Sequence, residues 1–444
     1  MKKFFVLIAF WVISFPGLTS SPEGLKDFAH KQSQVQLASE IIEKLESNHL
    51  VKKDYESIRK EAFDLYLERL DPNKTVFILS ELPEINKDSF NKNLISKDLK
   101  VAFSLFNLYA DRYYSRYNLQ IDFLESVEEV DLRSSRKIKR TLSDNERTSN
   151  LEELETLWKD LIINDLIQLM LSGNDLDESI SKTTKRLNNQ LNYFEQTRVE
   201  DVFNIFVNSI TSIYGPHTSY MSPKNSEDFD INMSLSLEGI GALLSSDGLY
   251  TSISSLVPGG PAEKTEQLKP EDKIIGVGQD DDGEIVDVIG WRIDDVVDLI
   301  RGPKGSKVRL QIIPTNAISD SETEEIEIVR NVVKLEDQAA EKKILPIQRG
   351  QKNYKVGVIA LPAFYFDFEA YQKRDYNYKS RSKDVKRLLK ELKRENIDGL
   401  VIDLRNNGGG SLYEANALAH LFLGRGTTVQ VKNSNGNIQG LGER

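Results

Sequence analysis

Between Gly399 and Gly410 the sequence reads Gly-Leu-Val-Ile-Asp-Leu-Arg-Asn-Asn-Gly-Gly-Gly, and few chain paths accommodate it. Its first half is a short, nearly continuous apolar run, the pattern of a strand buried on both faces. Asn406 to Gly410 is turn chemistry, because asparagine and glycine tolerate backbone conformations that other residues avoid. Leu412 to Leu423 then has helical periodicity. A strand, a glycine loop and a helix in that order leave backbone N–H groups free at the loop. Such groups can hold a phosphate or a developing oxyanion. The sequence ends at Arg444, shortly past this loop, so much of what the loop serves is expected to lie outside the chain.

Upstream, Val356 to Leu361 is expected as a strand and Asp384 to Glu395 as a Lys/Arg-rich amphipathic helix leading to the strand Leu400 to Leu404. This β, α, β alternation implies a parallel sheet. Asn433 to Arg444 holds two turn signals and no finished element, so the chain is expected to stop in mid-domain. Between Asn232 and Val333 the pattern is short strands with turn punctuation. Leu235 to Leu244 reads as one strand interrupted by Gly239 and Gly241, with Tyr250 to Ile253 as its partner across Ser246-Asp247-Gly248. Pro258 to Ala262 opens a short helix, and Lys273 to Val277, Val308 to Ile313 and Ile326 to Val333 read as strands around an amphipathic helix, Ile293 to Ile300. Asp280 to Glu284 is acidic but lacks the spaced ligands of a calcium loop, and reads as a solvated hairpin tip.

From Val35 to Ser209 the periodicity is helical. Ala38, Ile41, Ile42 and Leu45 form one stripe. Tyr55, Ile58, Ala62, Leu65 and Tyr66 form another, behind Asp54 as N-cap and ended by Asp71-Pro72-Asn73. Further helices are expected over Asp98 to Ser126, Leu151 to Met170, Leu176 to Tyr193 and Val199 to Ile213. The charged stretch Val127 to Ser149 reads as a mobile connection, and Tyr214 to Pro223 as a boundary. His217 sits in that Pro-bracketed turn. The four histidines (His30, His49, His217 and His420) do not pair at ligand spacing, so His217 is read as structural and no metal or cofactor is expected.

At 444 residues the chain is too long for one core. A net charge of −11, without a basic stripe, argues against a nucleic-acid binder. No cysteine means no disulfide and no thiolate chemistry. Met1-Lys2-Lys3 followed by the apolar run Phe4 to Phe15 and Pro16-Gly17 has the pattern of an export signal, taken as residues 1–21, with an uncleaved anchor as the alternative. The remainder holds no apolar stretch long enough to span a bilayer, which points to a soluble, exported protein.

Glu238-Gly239-Ile240-Gly241-Ala242 resembles the carboxylate-binding loop of a PDZ domain, and Pro258 to Ala262, Asp272 to Val277 and Gly302 to Val308 fall where PDZ domains joined to peptidases carry such segments. Asp403 to Gly410 is similar to the signature of the carboxy-terminal processing serine peptidases. Met233 to Gly241, Asp287 to Arg292, Leu70 to Lys74 and Pro216 to Tyr220 resemble their long periplasmic, tail-specific branch. The resemblance implies a multidomain α+β chain: a helical N-terminal domain over 22–230, a β-rich PDZ domain over 231–333, and from 334 to 444 the start of an α/β crotonase-like serine peptidase domain. It implies capture of polypeptide C-termini as an added strand, the terminal carboxylate held by N–H groups around Gly239, Ile240 and Gly241. Leu237, Ile240 and Ala242, with Val296, Val297 and Ile300 of the helix, would line an apolar pocket and favour substrates with apolar tails. Taken alone, Gly239-Ile240-Gly241 reads equally as a bulged hairpin.

The family cuts peptide bonds with a serine–lysine dyad, the lysine made neutral by desolvation so that it can take the serine proton. The Ser-Ala-Ser-Ala-type segment that carries the serine, and the later lysine, are absent from this sequence. Ser411 is no substitute, because it makes no Gly-x-Ser-x-Gly elbow and has no lysine placed to serve it. What remains is an oxyanion loop in which Gly408 and Gly409 offer N–H groups and Asp403, Arg405 and Asn406 brace the backbone; a plain strand-to-helix turn is the alternative. Two functions follow: an exported endopeptidase present here without its dyad, or a non-catalytic PDZ scaffold. The helical region is open to an adaptor, a partner subunit or the protease itself.

Overall fold

The computed structural model describes residues 27–81, 94–131, 137–138, 146–319, 321–335, 339–376 and 378–443. The expected signal segment lies outside them, as does part of the charged stretch from Val127 to Ser149. Two compact units form, one holding residues 1–39, 60–191 and 198–209, the other 40–59, 192–197 and 210–444.

Up to residue 214 the regular elements among the described residues are all helices. α1 (Gln32–Asn48) and α2 (Tyr55–Leu70) fall on the two expected stripes, and Asp54 caps α2 by accepting the Ser57 N–H at 2.9 Å. α2 stops at Asp71, whose buried carboxylate accepts the N–H groups of Thr75, Val76 and Phe77 and pairs with Arg147. α3 (Leu94–Glu125), α4 (Leu151–Leu171), α5 (Leu176–Glu195) and α6 (Val199–Tyr214) follow. Asn150 caps α4, and Leu154, Trp158, Ile162 and Leu166 form its buried stripe at helical spacing. Around Tyr66 the core is aromatic: its hydroxyl donates to the Ala102 carbonyl at 3.0 Å and its ring meets Phe206 edge-on.

In the second unit, α7 (Pro223–Ser234) is a helix the periodicity does not announce. Its only buried residue is Met233, so it has no apolar stripe; Ser222 as N-cap and Pro223 behind it were its legible signals. The strand read from Leu235 to Leu244 is in fact two. β1 (Ser236–Gly239) pairs antiparallel with β8 (Asn331–Lys334), while β2 (Ala242–Asp247) begins a different sheet. Gly241, at φ +77°, carries the chain between them, with Val333 and Gly260 too close to leave comfortable room for a Cβ. That sheet runs β2, β3 (Tyr250–Leu256), β4 (Lys273–Gln279), β6 (Lys307–Ile313), β7 (Glu324–Val329), all antiparallel, with β5 (Val286–Asp287) beside β4. The short helix α8 (Pro261–Lys264) lies between β3 and β4. α9 (Ile293–Ile300) packs Val296 and Ile300 into a core with Ile240, Ile253, Ile274, Val308 and Leu310.

Ile326 to Val333 is likewise two strands, broken at Arg330. The Arg330 side chain is 3% exposed and spends its donors on five acceptors: the carbonyls of Ile300, Leu299 and Lys307, the Ser306 hydroxyl and Gln279. Its own N–H donates to Ser306, so the chain is pinned to the β6 approach before β8 departs. Burial pushes its guanidinium below its ordinary pKa, the cost of a charge that only this complete set of acceptors offsets.

Residues 339–443 hold the β, α, β unit. β10 (Lys352–Ala360) and β11 (Gly399–Asp403) are parallel, with α11 (Arg381–Arg394) between them in sequence. Val385, Leu388 and Leu392 of α11 pack with Ile359 and Leu361, each such burial stabilising by roughly 1.5–3 kcal/mol. β9 (Glu341–Arg349), hidden in the sequence by Pro346 and exposed side chains, pairs antiparallel with β10 as an edge strand, where proline is tolerated. The expectation that β11 is buried on both faces fails: Val401 is 47% exposed, because the core cluster takes up only the face that carries Leu400 and Ile402. The final stretch is also more ordered than expected. β12 (Gly426–Lys432) and β13 (Ile438–Glu443) make a hairpin, and the two turn signals from Asn433 to Gly436 are its loop.

Arg330→Ala would leave several buried carbonyls without donors, and is expected to destabilise the β-rich domain by about 3–5 kcal/mol. Lys307→Ala, which removes an exposed ion pair with Asp281 and Glu327, is expected to change it little. Denaturant titration of both variants checks this; equal effects would remove Arg330 from its central place.

Candidate functional site

The glycine loop leaves β11 at Leu404 and is braced first by its own acid and base. Arg405 closes on Asp403 through three side-chain bonds at 2.9, 3.2 and 2.7 Å and a backbone bond at 3.0 Å. Those hydrogen bonds hold the Asp403 carboxyl at about 2, far below its ordinary value. Asn406 takes φ +62°, a left-handed turn that asparagine tolerates. Asn407 then locks the turn: its amide donates to the Leu361 carbonyl at 2.8 Å and its Oδ1 accepts the Gly409 N–H at 2.9 Å. The two glycines therefore differ. The Gly408 N–H meets no acceptor among the described residues and the space beside its Cα is open, whereas the Gly409 N–H is already engaged.

Beyond them the loop is clamped to Phe364. The Phe364 N–H donates to the Gly409 carbonyl at 2.7 Å, and the Ser411 N–H donates to the Phe364 carbonyl at 2.8 Å. Gly410, at φ +133°, lies against that backbone where no side chain fits. Ser411 is buried, and its hydroxyl accepts the Glu414 N–H at the start of α12 (Leu412–Leu423), which makes it a helix cap and not a nucleophile. Below Phe364 lies Arg381, 0% exposed, its guanidinium 5.1 Å from the Phe364 ring centre and 4.9 Å from that of Tyr365. Its three side-chain nitrogens have no hydrogen-bond partner among the described residues, and burial pushes its pKa down to about 10. Buried Glu414 accepts from the Ser380 hydroxyl and the Ser382 N–H, and Tyr365 donates to Asp384 at 2.6 Å. Burial would raise the Asp384 carboxyl, but hydrogen bonds from Tyr365, Lys379 and Arg387 outweigh it and leave it below its ordinary value.

Sequence reasoning missed Asn407 and Phe364. An Asn two residues before an N–H it can accept is a local pattern, so Asn407 was findable. Nothing near Phe364 in sequence marks it, because its role comes from the approach of a distant segment.

At the β-rich domain, the Ile240 and Gly241 N–H groups meet no acceptor among the described residues, while their carbonyls accept from Ala262 at 2.7 Å and Val257 at 2.8 Å. Among the described residues the loop thus has both carbonyls paired and both N–H groups open. β2 follows as the end strand of its sheet, against α9. Of the residues expected to line the apolar pocket, Ile240, Val296 and Ile300 are instead core, 3%, 0% and 4% exposed, because the helix turns that face onto the sheet. Leu237, Ala242 and Val297 are half-buried, and Gly239 and Gly241 are buried.

Three family models match in chain order: the tail specific protease N-terminal domain over residues 41–224, a PDZ domain over 228–313 and peptidase family S41 over 355–441. The chain is 35% identical over 405 residues to the tail-specific protease of Haemophilus influenzae, covering 89% of this chain and 55% of that protein. It is 28% identical over 229 residues to a carboxy-terminal processing protease of Bacillus subtilis, covering 51% and 42%. A crystal structure of the PDZ domain of a Vibrio cholerae carboxy-terminal protease in complex with peptide is 53% identical, over 22% of this chain and 99% of that one, with a TM-score of 0.21. The chain spans about half the length of the curated relatives it matches. A helical N-terminal region, a PDZ domain and S41 peptidase sequence thus stand together in one polypeptide. It belongs to the tail-specific protease family.

The two glycine positions predict opposite outcomes. Gly410→Ala is expected to destabilise the last unit by about 2–4 kcal/mol through strain and collision with Phe364. Gly408→Ala, in open space, is expected to cost less than about 1 kcal/mol. Equilibrium unfolding of the two variants reads the difference, and equal costs would overturn the clamp.

Proposed function

We propose that the chain is part of an exported serine-type endopeptidase that selects polypeptides by apolar C-terminal tails and cuts them with a Ser–Lys dyad supplied by sequence absent from it. The observation that carries this is the pair of N–H groups at Ile240 and Gly241 that meet no acceptor among the described residues, beside an end strand packed against a helix. A tail would lie along β2 with its carboxylate on those N–H groups, and Leu237, Ala242 and Val297 would meet its last side chains. The Gly408 N–H would meet the oxyanion of the tetrahedral intermediate, a contact worth roughly 3–4 kcal/mol per donor in such sites. Gly409 would serve only after Asn407 releases it. Residues 22–230, 231–333 and 334–444 are the proposed domain limits, and 1–21 the proposed export signal to the periplasm. Among the described residues no helix is long and apolar enough to cross a membrane.

The second reading, a non-catalytic PDZ scaffold, is favoured by one observation, the Gly409 N–H held by Asn407. Both readings require tail binding. Ile240 cannot test it, because a carboxylate placed in that core would disturb the fold first. Calorimetric titration of the whole chain with a peptide ending in apolar residues is expected to give binding that weakens at least about 10-fold when the terminal carboxylate is amidated. Equal affinity for the amide would refute the carboxylate loop. Mass spectrometry of the same mixture is expected to find the peptide intact; cleavage would refute the assignment of the nucleophile to absent sequence.

A further inference from the structure

β1 and β8 form a sheet of only two strands among the described residues. Its register is set by the Leu335 N–H donating to the Leu235 carbonyl at 3.0 Å, so Leu237 faces Val333 and Gly239 faces Asn331 as hydrogen-bonded pairs. The N–H and C=O groups of Ser236 and Glu238 therefore turn to the opposite edge. The Ser236 carbonyl accepts the Ser234 hydroxyl at 3.1 Å; the remaining three groups have no main-chain partner among the described residues. β1 lines a groove of about 1000 Å³, walled across from it by α7 and by α10 (Phe368–Gln372). Ile231, Phe366 and Phe368 give that groove an apolar lining.

Its charge is one-sided. The two cations on the groove are already used, Arg301 by Asp228 at 2.9 Å and Lys373 by Glu369. Glu227 and Asp230, exposed on α7, have no cationic partner among the described residues. A bare strand edge, an apolar lining and unpaired carboxylates together fit an extended chain carrying basic and apolar side chains. The occupant cannot be the tail itself. A tail on β2 starts at Gly241 and runs away from β1, which lies on the other side of the loop.

We propose that this groove takes an extended, Lys/Arg-containing segment of the polypeptide whose tail sits on the Ile240–Gly241 loop, paired through its main chain to the outer edge of β1. The proposal rests on the tail-binding reading for the identity of its occupant and on β1 for its geometry. Recognition is then two-point: a carboxylate and apolar tail at one place, a basic extended segment at another.

The probe is a short peptide alternating lysine and valine, acetylated and amidated so that it has no terminal carboxylate. Fluorescence anisotropy with the whole chain is expected to show saturable binding, weakened at least about 10-fold by Glu227→Lys with Asp230→Lys and abolished by N-methylation of alternate residues. The same double variant is expected to bind the free-carboxylate tail peptide as the parent does. Joining probe and tail by a flexible Gly/Ser linker of about twelve residues should tighten binding at least about 10-fold over either alone. Undiminished binding of the N-methylated probe would reduce the site to charge attraction, and undiminished binding by the double variant would remove the two carboxylates from it; either overturns the proposal. No gain on joining would overturn the assignment to a single polypeptide. If the probe behaves as expected and the tail peptide does not bind, the carboxylate loop falls and the groove stands; the converse removes the groove alone.

Discussion

The second unit depends on one buried guanidinium. Arg330 receives no carboxylate, and its charge is balanced by carbonyl dipoles from the end of α9 and the start of β6, a hydroxyl and a glutamine. A helix C-terminus is the negative end of its dipole, so the cation sits where α9 favours it. Gly302 lets the group lie there, since a Cβ would stand 3.0 Å from its central carbon. Three consequences follow from the one contact: the PDZ sheet ends at β7, α9 is fixed against it, and the chain leaves as β8 to hold β1. The slot beside β2 and the groove beside β1 are both bounded by elements that Arg330 ties together.

Two loops in this molecule solve the same physical problem. Each must leave N–H groups unpaired beside a well-ordered strand, and each does so with glycine. At Gly239 to Gly241 the carbonyls of Ile240 and Gly241 are satisfied by Ala262 and Val257, so the turn is held without using its own N–H groups. At Gly408 and Gly409 the solution is partial, because Asn407 occupies one donor while bracing the turn through Leu361. An amide side chain that must move before a second donor is exposed can hold a loop in order before a substrate arrives.

The ground beneath the second loop is costly. Arg381 is buried against two aromatic rings with no side-chain hydrogen bond among the described residues, within electrostatic reach of Glu414 and Asp384. Cation–π attraction returns about 2 kcal/mol at best for a desolvated pair, less than the desolvation it opposes. Phe364, which lies on this cation, is also the residue that clamps Gly409 and Ser411. The loop's position is thus coupled to a charge that the rest of the fold must support.

Much of the fold is legible in the sequence. Local signals are strong where one residue type has one role, as with Asp54 and Asn150 as caps, the stripe through Leu154 and Trp158, the parallel pair β10 and β11, and the turn at Asn406. Apolar periodicity told which segments are helices or strands, and glycine runs told where donors would be free. It did not tell that Leu235 to Leu244 and Ile326 to Val333 each divide between two sheets, since an interruption at Gly239 to Gly241 or at Arg330 reads equally as a bulge within one strand. Nor could it separate lining from core: Ile240, Val296 and Ile300 are apolar in either role, and only the packing of α9 on the sheet decides it. The sequence alone determined the element types and the loops rich in unpaired N–H groups, because those follow from backbone preferences within a few residues. Which strands pair, which donors remain open and which charges are buried was decided by tertiary structure, because each depends on a partner far away in the chain.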